Sequence, residues 1–321
     1  MNDWKNRLKY DPTTPLAESD DIALSYAFQK DILGKTTIAL ADVWQSNTAQ
    51  SILTKQRSDG SWRYTAKRAW PKLDYDQYET VKQLAALIEK HGFRNTHDSI
   101  YVIAEYYFGY QSSAGDIRGI YGNQYSPNYT AMILELLMKA GYASDERILR
   151  SLDWLLNSRQ EDGGWALALR TRGLNLEAFD LDETIEGDLS KPYSAMVTGV
   201  VLRALAAHPR YQARWETAHA GKLLADSFFT SDKYPDRKGA NYWTRFSFPF
   251  VYTDLVSALD SLSRIGGFEA HPKVQEALRW LEDRQSSDGL FGLRTIRGKK
   301  QESALWLNLA ICRIYKRFYS N

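Results

Sequence analysis

The side chains in this sequence best suited to chemistry are acids and aromatic rings. An acidic run, Asp180-Leu-Asp182-Glu183-Thr184, lies between Trp165 and Tyr193 in a long stretch that also holds Glu177, Glu186 and Asp188. A connection without regular structure longer than about 12 to 15 residues often serves as a lid or site loop. By composition the run reads as a solvated acidic loop. Glu79 and Asp254 fall in expected first helical turns. Acids at such places cap backbone amides and favour the helix dipole, and a pair of them about 5 to 9.5 Å apart could hydrolyse a glycosidic bond. Aromatic and polar residues gather near the same positions: Tyr78; then Arg118, Tyr121, Asn123, Tyr125 and Tyr129; then Tyr193; then Trp243, Arg245 and Tyr252; and Trp306. Their ring faces could stabilise a cationic intermediate or stack on a sugar ring, and composition does not choose between these. The densest stretch, residues 115–130, holds three glycines, three tyrosines, Arg118, Asn123 and Gln124, more than a connector needs.

The elements that must position these residues announce themselves through a repeat. Gln56-Arg-Ser-Asp59-Gly60-Ser-Trp62, Gln160-Glu-Asp162-Gly163-Gly-Trp165 and Gln285-Ser-Ser-Asp288-Gly289-Leu-Phe291 each close a helical segment. Glycine supplies the positive φ that stops the helix, and the Asp side chain accepts from nearby amides. The aromatic two residues after glycine is placed to fold back over the helix end. A degenerate copy runs from Gln111 through Gly115-Asp116, with the aromatic displaced to Tyr121. An unmarked copy is expected around Thr230-Ser231-Asp232-Lys233-Tyr234. A period of about 50 residues means stacked supersecondary units, here pairs of helices.

Hydrophobic periodicity sorts the helices into two layers. Asp145 to Arg159 places Ile148, Leu149, Leu152, Leu155 and Leu156 on one side, as an outer helix does. Tyr129 to Ala140, Ser194 to Ala207 and Glu302 to Ile314 are apolar nearly all round and belong inside. The expected inner helices span 21–33, 80–92, 129–141, 194–208, 253–266 and 302–317; the outer ones span 36–55, 97–111, 145–158, 215–229 and 272–285. This predicts an all-α, (α/α) toroid of about six inner and five to six outer helices. It reads as one domain over residues 1–321, with an N-terminal arm 1–20 and long connections 166–192 and 230–250.

With the turns, the alternating helices and the segment Trp243-Thr-Arg-Phe-Ser-Phe-Pro-Phe250 before an inner helix, the chain resembles the terpenoid cyclase and protein prenyltransferase superfamily. It is most similar to squalene-hopene-cyclase-like repeats of a single-domain branch, over roughly residues 20 to 318. The resemblance implies a toroid with a central cavity at the inner-helix ends. Class II cyclases of that superfamily protonate an alkene or epoxide with an acid from an Asp-x-Asp-Asp signature. On that resemblance Asp180 and Asp182 are catalytic candidates, although Glu183 replaces the last Asp and the run does not lead directly into an apolar helix. The zinc ligands of the prenyltransferases are not matched: Ala310 stands two residues before Cys312 where their pattern has Asp, and the five histidines form no ligand-like pair. No metal and no cofactor is expected.

The remaining composition sets outer bounds. Forty-one basic and 39 acidic residues, mixed along the chain, give a net charge of +2 and no footprint for nucleic acid. The start lacks an apolar signal core and no run suits a transmembrane helix, so a cytoplasmic, soluble protein with a small, apolar substrate is expected. The oligomeric state is not legible. Three activities fit these residues: a metal-independent cyclase or isomerase acting on an isoprenoid or other apolar chain, a carbohydrate-active lyase or hydrolase, and a non-catalytic ligand-binding or scaffold protein.

Overall fold

The computed structural model describes residues 3–67, 73–175, 178–179, 181–237, 239–296 and 300–320. In chain order the α-helices are α1 (Thr14–Ala17), α2 (Ile22–Asp31), α3 (Leu40–Trp44), α4 (Asn47–Leu53), α5 (Tyr75–Glu89), α6 (Asp98–Phe108), α7 (Pro127–Leu137), α8 (Glu146–Asn157), α9 (Ala168–Thr171), α10 (Ala195–Ala207), α11 (Pro209–Gln212), α12 (Trp215–Asp226), α13 (Leu255–Ile265), α14 (Pro272–Glu282) and α15 (Lys300–Tyr319). Among the described residues, β pairing is limited to isolated bridges. The chain is an all-α, (α/α) toroid. Helices α5, α7, α10, α13 and α15 pack each on the next, and α15 packs back on α2. Around them, α6 lies on α5, α8 on α7, and α12 on α10 and α13.

The two layers follow from the periodicity. Every residue of α7 is buried, and so is every residue of α10 but its last, whereas α8 buries only one side, through Ile148, Leu152, Leu155 and Leu156. Such helices can be stable only in their respective layers, because burial of apolar area is the main favourable term. Several boundaries differ from expectation, each for a local reason. Helix α5 begins at Tyr75 instead of 80, because the Asp74 carboxylate accepts from the Gln77 amide and starts the helix there. The outer helix expected at 36–55 is broken into α3 and α4, because Ser46 turns extended and caps α4 by accepting from Ala49.

The Gln-Asp-Gly turns join successive units. The Gln56 side-chain amide donates to the Gly60 carbonyl inside its own turn and to Ser99 O, at 3.1 Å, in the first turn of α6. Gln111 repeats this toward Arg147 O, at 2.7 Å, in α8. The glycines have φ of 91° and 112°, and a Cβ on Gly60 would lie 2.7 Å from Val102 O, one on Gly115 2.8 Å from Arg150 O. The turn is therefore pressed against the backbone of the next outer helix, and only glycine fits. Trp62 and Trp165 fold back as expected, donating their indole N–H to Ile52 O and Leu155 O. In the degenerate copy the position two after glycine is held by Ile117, not by a displaced Tyr121. The backbone amides of Trp62, Ile117 and Trp165 donate alike to the hydroxyls of Thr80, Thr130 and Thr198 on the inner helices. An isoleucine serves because the slot asks for an apolar side chain and a backbone donor.

The last turn closes the ring with the N-terminal arm. Gln285 exchanges two hydrogen bonds with the Tyr10 backbone, at 3.0 and 2.9 Å, and Asn308 of α15 donates to Pro12 O at 2.7 Å. A Cβ on Gly289 would run into the Asp11 carbonyl. Replacing Gln285 with Ala leaves two backbone groups of Tyr10 without these partners, so Gln285→Ala is expected to destabilise the fold by about 1 to 3 kcal/mol in denaturant unfolding. Limited proteolysis should cut first within the released arm.

Candidate active site

The first turns of the inner helices bring tyrosines together. Tyr78 of α5 meets Tyr129 of α7 edge-on at 6.1 Å between ring centroids, and Tyr121 meets Tyr129 at 4.8 Å. Tyr252, just before α13, acts electrostatically on both Tyr121 and Tyr129. Burial, the largest cause, pushes the Tyr121 hydroxyl up to about 12 and that of Tyr129 well above its ordinary value, so both remain neutral phenols. Phe179, from the connection between α9 and α10, stacks flat on Tyr121 at 4.2 Å. Trp306 of α15 is buried and stacks on Phe248 at 5.3 Å.

The acidic run takes up a different place from the one a cyclase-like signature implies. Asp180 lies outside the described residues. Asp182 is exposed; its carbonyl, not its carboxylate, is engaged, accepting from Asn123 at 2.8 Å. Gln124 donates to Leu181 O and Glu183 O and accepts from the Ile185 amide, so residues 181–185 are laid as a strap along 123–124. Arg118 fixes the same strap through Asp116, Asn123 and Thr184. Much of the polar richness of 115–130 is thereby used to hold the chain's own connection.

Other candidates are dispersed. Glu79 is held by Lys82 at 2.6 Å and Gln83 at 2.7 Å on its own helix. Tyr125 bonds Glu186 and lines a cavity of about 220 Å³ beside Trp154, on the flank of the ring. Tyr193 bonds Leu223 O and Ser227, at a cleft of about 270 Å³ beside α12. Arg245 is exposed. Trp243 is fully buried and donates to Thr230 O, so it is the helix-end tryptophan of the unmarked repeat. Its expected contact with a substrate is replaced by this structural one.

Asp254 differs from all of these. It caps α13 by accepting from the Ser257 amide at 2.8 Å while the Ser257 hydroxyl accepts from the Asp254 amide, a capping box. It is 2% exposed and has no ion-pair partner among the described residues. Burial raises its pKa from the ordinary carboxylate range to about 7, against the opposing influence of Ser257 and of Arg203. Arg203 of α10 donates to Glu135 of α7 at 2.9 Å and toward Tyr252 O at 3.5 Å, and its Nη2 has no acceptor among the described residues. Glu135 in turn holds Lys139 at 2.7 Å. Sequence inspection at helix starts misses Arg203 and Glu135. Their signal is a charge inside an otherwise apolar inner helix, as in Leu134-Glu135-Leu136 and Leu202-Arg203-Ala204. Among the described residues, no three His, Cys, Asp or Glu side chains gather as a metal site requires, and no helix is long and apolar enough to cross a membrane.

No family model matches the chain, and no curated protein matches it. Solved structures similar to it include a protein from Actinoplanes, at 13% identity and TM-score 0.45, covering 94% of this chain and 90% of that one. A polysaccharide lyase follows, at 12% identity and TM-score 0.47, covering 93% and 89%. A type II terpene cyclase from Scytonema has 14% identity and TM-score 0.36, covering 86% and 98%. Likeness at this level leaves the activity of this chain open, and the squalene-cyclase-like kinship expected from the turns gains no family match.

Removing one partner of the Arg203–Glu135 pair leaves a buried charge exposed to an apolar interior. Glu135→Ala is expected to cost about 3 to 5 kcal/mol, whereas the double change Glu135→Leu with Arg203→Met should cost much less. Urea unfolding of the three proteins checks this, and equal losses in single and double variants would show that the pair does not act as a unit.

Proposed function

We propose that the toroid is a metal-independent cyclase or isomerase that uses Asp254 as a general acid on an isoprenoid or other apolar substrate, held against the tyrosines at the starts of the inner helices. The observation that carries this reading is a buried carboxyl without a counter-ion among the described residues, two residues from Tyr252 and within the field of Arg203. An acid near 7 is substantially protonated at neutral pH, and this strength suits a strained C–O bond such as an epoxide better than an isolated alkene. The proton passes from Asp254 to the oxygen as the C–O bond breaks. Positive charge then develops on carbon, where tyrosine ring faces oppose it favourably. Arg203, which already lowers the pKa of Asp254, stabilises the carboxylate left behind. A later loss of a proton from carbon restores the acid and the neutral product.

The hydrolase reading needs a second free carboxylate, and Glu79 is already engaged by Lys82 and Gln83. For this reason the cyclase-like reading is preferred to the hydrolytic one.

Asp254→Asn keeps a capping oxygen but removes the proton. Incubated with linear isoprenoid epoxides and followed by gas chromatography with mass detection, the wild-type chain should yield cyclic or isomerised product that falls at least about 100-fold in the variant. Product formation unaffected by the change, or absent from both proteins, would remove the assignment.

The same carboxyl predicts a pH dependence of stability. Its folded constant of about 7 lies above the ordinary 3.8, so its contribution is fully present below about 4 and is lost as pH rises through about 7. Between these limits wild type should lose about 1.4 kcal/mol per pH unit relative to Asp254→Asn. Chemical denaturation at pH 4.5, 6 and 8 measures the difference.

A further inference from the structure

At the opposite end of the ring from Asp254, the last turns of α2, α5, α13 and α15, with Lys139 just after α7, surround a cavity of about 700 Å³. Its lining contains eight lysines and arginines against two acids, Asp31 and Glu89. The whole chain is nearly balanced in charge, so this is a local concentration. Part of the charge is matched by acids within the lining or behind it. Asp260 is shared by Arg264, at 2.9 Å, and Arg317; Asp31 holds Arg313 at 2.6 Å; Glu89 holds Lys139 at 2.5 Å; Glu302 holds Lys90 at 2.5 Å.

Three of the cations have no carboxylate among the described residues. Lys30 lies over the Tyr26 ring at 5.6 Å, Arg94 donates to Lys139 O, and Lys316 donates to Asp31 O and Ile32 O. Carbonyl acceptors leave their positive charges uncancelled. Burial holds the Arg317 guanidinium below its ordinary value, with Arg264 and Arg313 adding to the effect and Asp260 opposing it. Low-dielectric walls around these cations focus a positive potential into the cavity, and guanidinium forks match the oxygens of carboxylate and phosphate in pairs.

We propose that this basic pit binds a compact polyanion, a small molecule carrying two or more phosphate or carboxylate groups. The cavity is large enough for such a ligand, within the usual range for small-molecule sites. The inference does not depend on the chemistry assigned to Asp254.

Titration calorimetry of the full chain with inorganic pyrophosphate and, separately, with citrate tests it and distinguishes the two anion chemistries. Saturable binding by either is expected, weakening as salt is raised. Lys30→Gln and Lys316→Gln should each weaken it by about tenfold, with Lys273→Gln, on the outer helix α14, as the control. Lys30 is exposed and forms no ion pair among the described residues, so its variant is expected to fold normally, which a thermal melt verifies. Absence of binding by both anions at millimolar concentration, or binding that Lys30→Gln and Lys316→Gln leave unchanged, would overturn the proposal.

Discussion

The architecture depends on one hydrogen-bonded junction, the side-chain amide of a glutamine at the end of one unit donating to backbone carbonyls at the start of the next. A pair of helices cannot bury its apolar inner face alone, so each unit needs its neighbour. The amide supplies direction to that need. It reaches Ser99 from Gln56, Arg147 from Gln111, and Tyr10 from Gln285, while Gln160 turns to Asp188 and Lys191 of the long connection. At that place the units are separated by extra chain, and the glutamine secures the extra chain instead. Glycine in each turn allows the approach, and the threonines of the inner helices tie the same turn inward.

A ring of parallel inner helices also has electrically unlike ends. Unpaired amides converge at one end and unpaired carbonyls at the other. Caps such as Asp21, Asp74 and Asp254 occupy the first, and Lys30, Lys139, Arg264 and Lys316 crowd the second. The Lys139–Glu135–Arg203 chain runs between the two regions through the core. Both features with chemical potential thus arise where backbone polarity of the ring is greatest, one by burying an acid among caps and the other by gathering bases beyond what the carbonyls require.

The layers, the turns and their order were legible because they rest on local signals: glycine at positive φ, Asp beside it, and apolar residues at helical spacing. Even the unmarked repeat falls near Thr230, as its spacing predicts, although its tryptophan comes later in sequence, at Trp243, where the sequence suggests a substrate contact. The site was harder to read. Asp254 stood out as a first-turn acid, but its burial depends on α10 and on the chain before α13, which no local pattern reveals. Asp182 carried the more familiar motif and proves to lie on the outside of a strap held by Asn123 and Gln124. The basic pit is invisible in sequence because its cations come from positions as distant as Lys30, Lys139, Arg264 and Lys316, in a chain whose basic and acidic residues are mixed along its length.

The seam between Tyr10 and Gln285 has a temporal meaning as well. These partners are 275 positions apart in the chain, so their meeting carries the high loop-closure cost typical of slow, non-local topologies. During synthesis the arm that contains Trp4 and Leu16, both wholly buried in the finished ring, emerges first and finds its receptor last. Until α14 and α15 have been made, the growing chain is an open arc with two unsatisfied ends, each shaped to accept the other or the matching end of a neighbouring copy. Linked rings or swapped dimers are the characteristic errors of such an order of assembly.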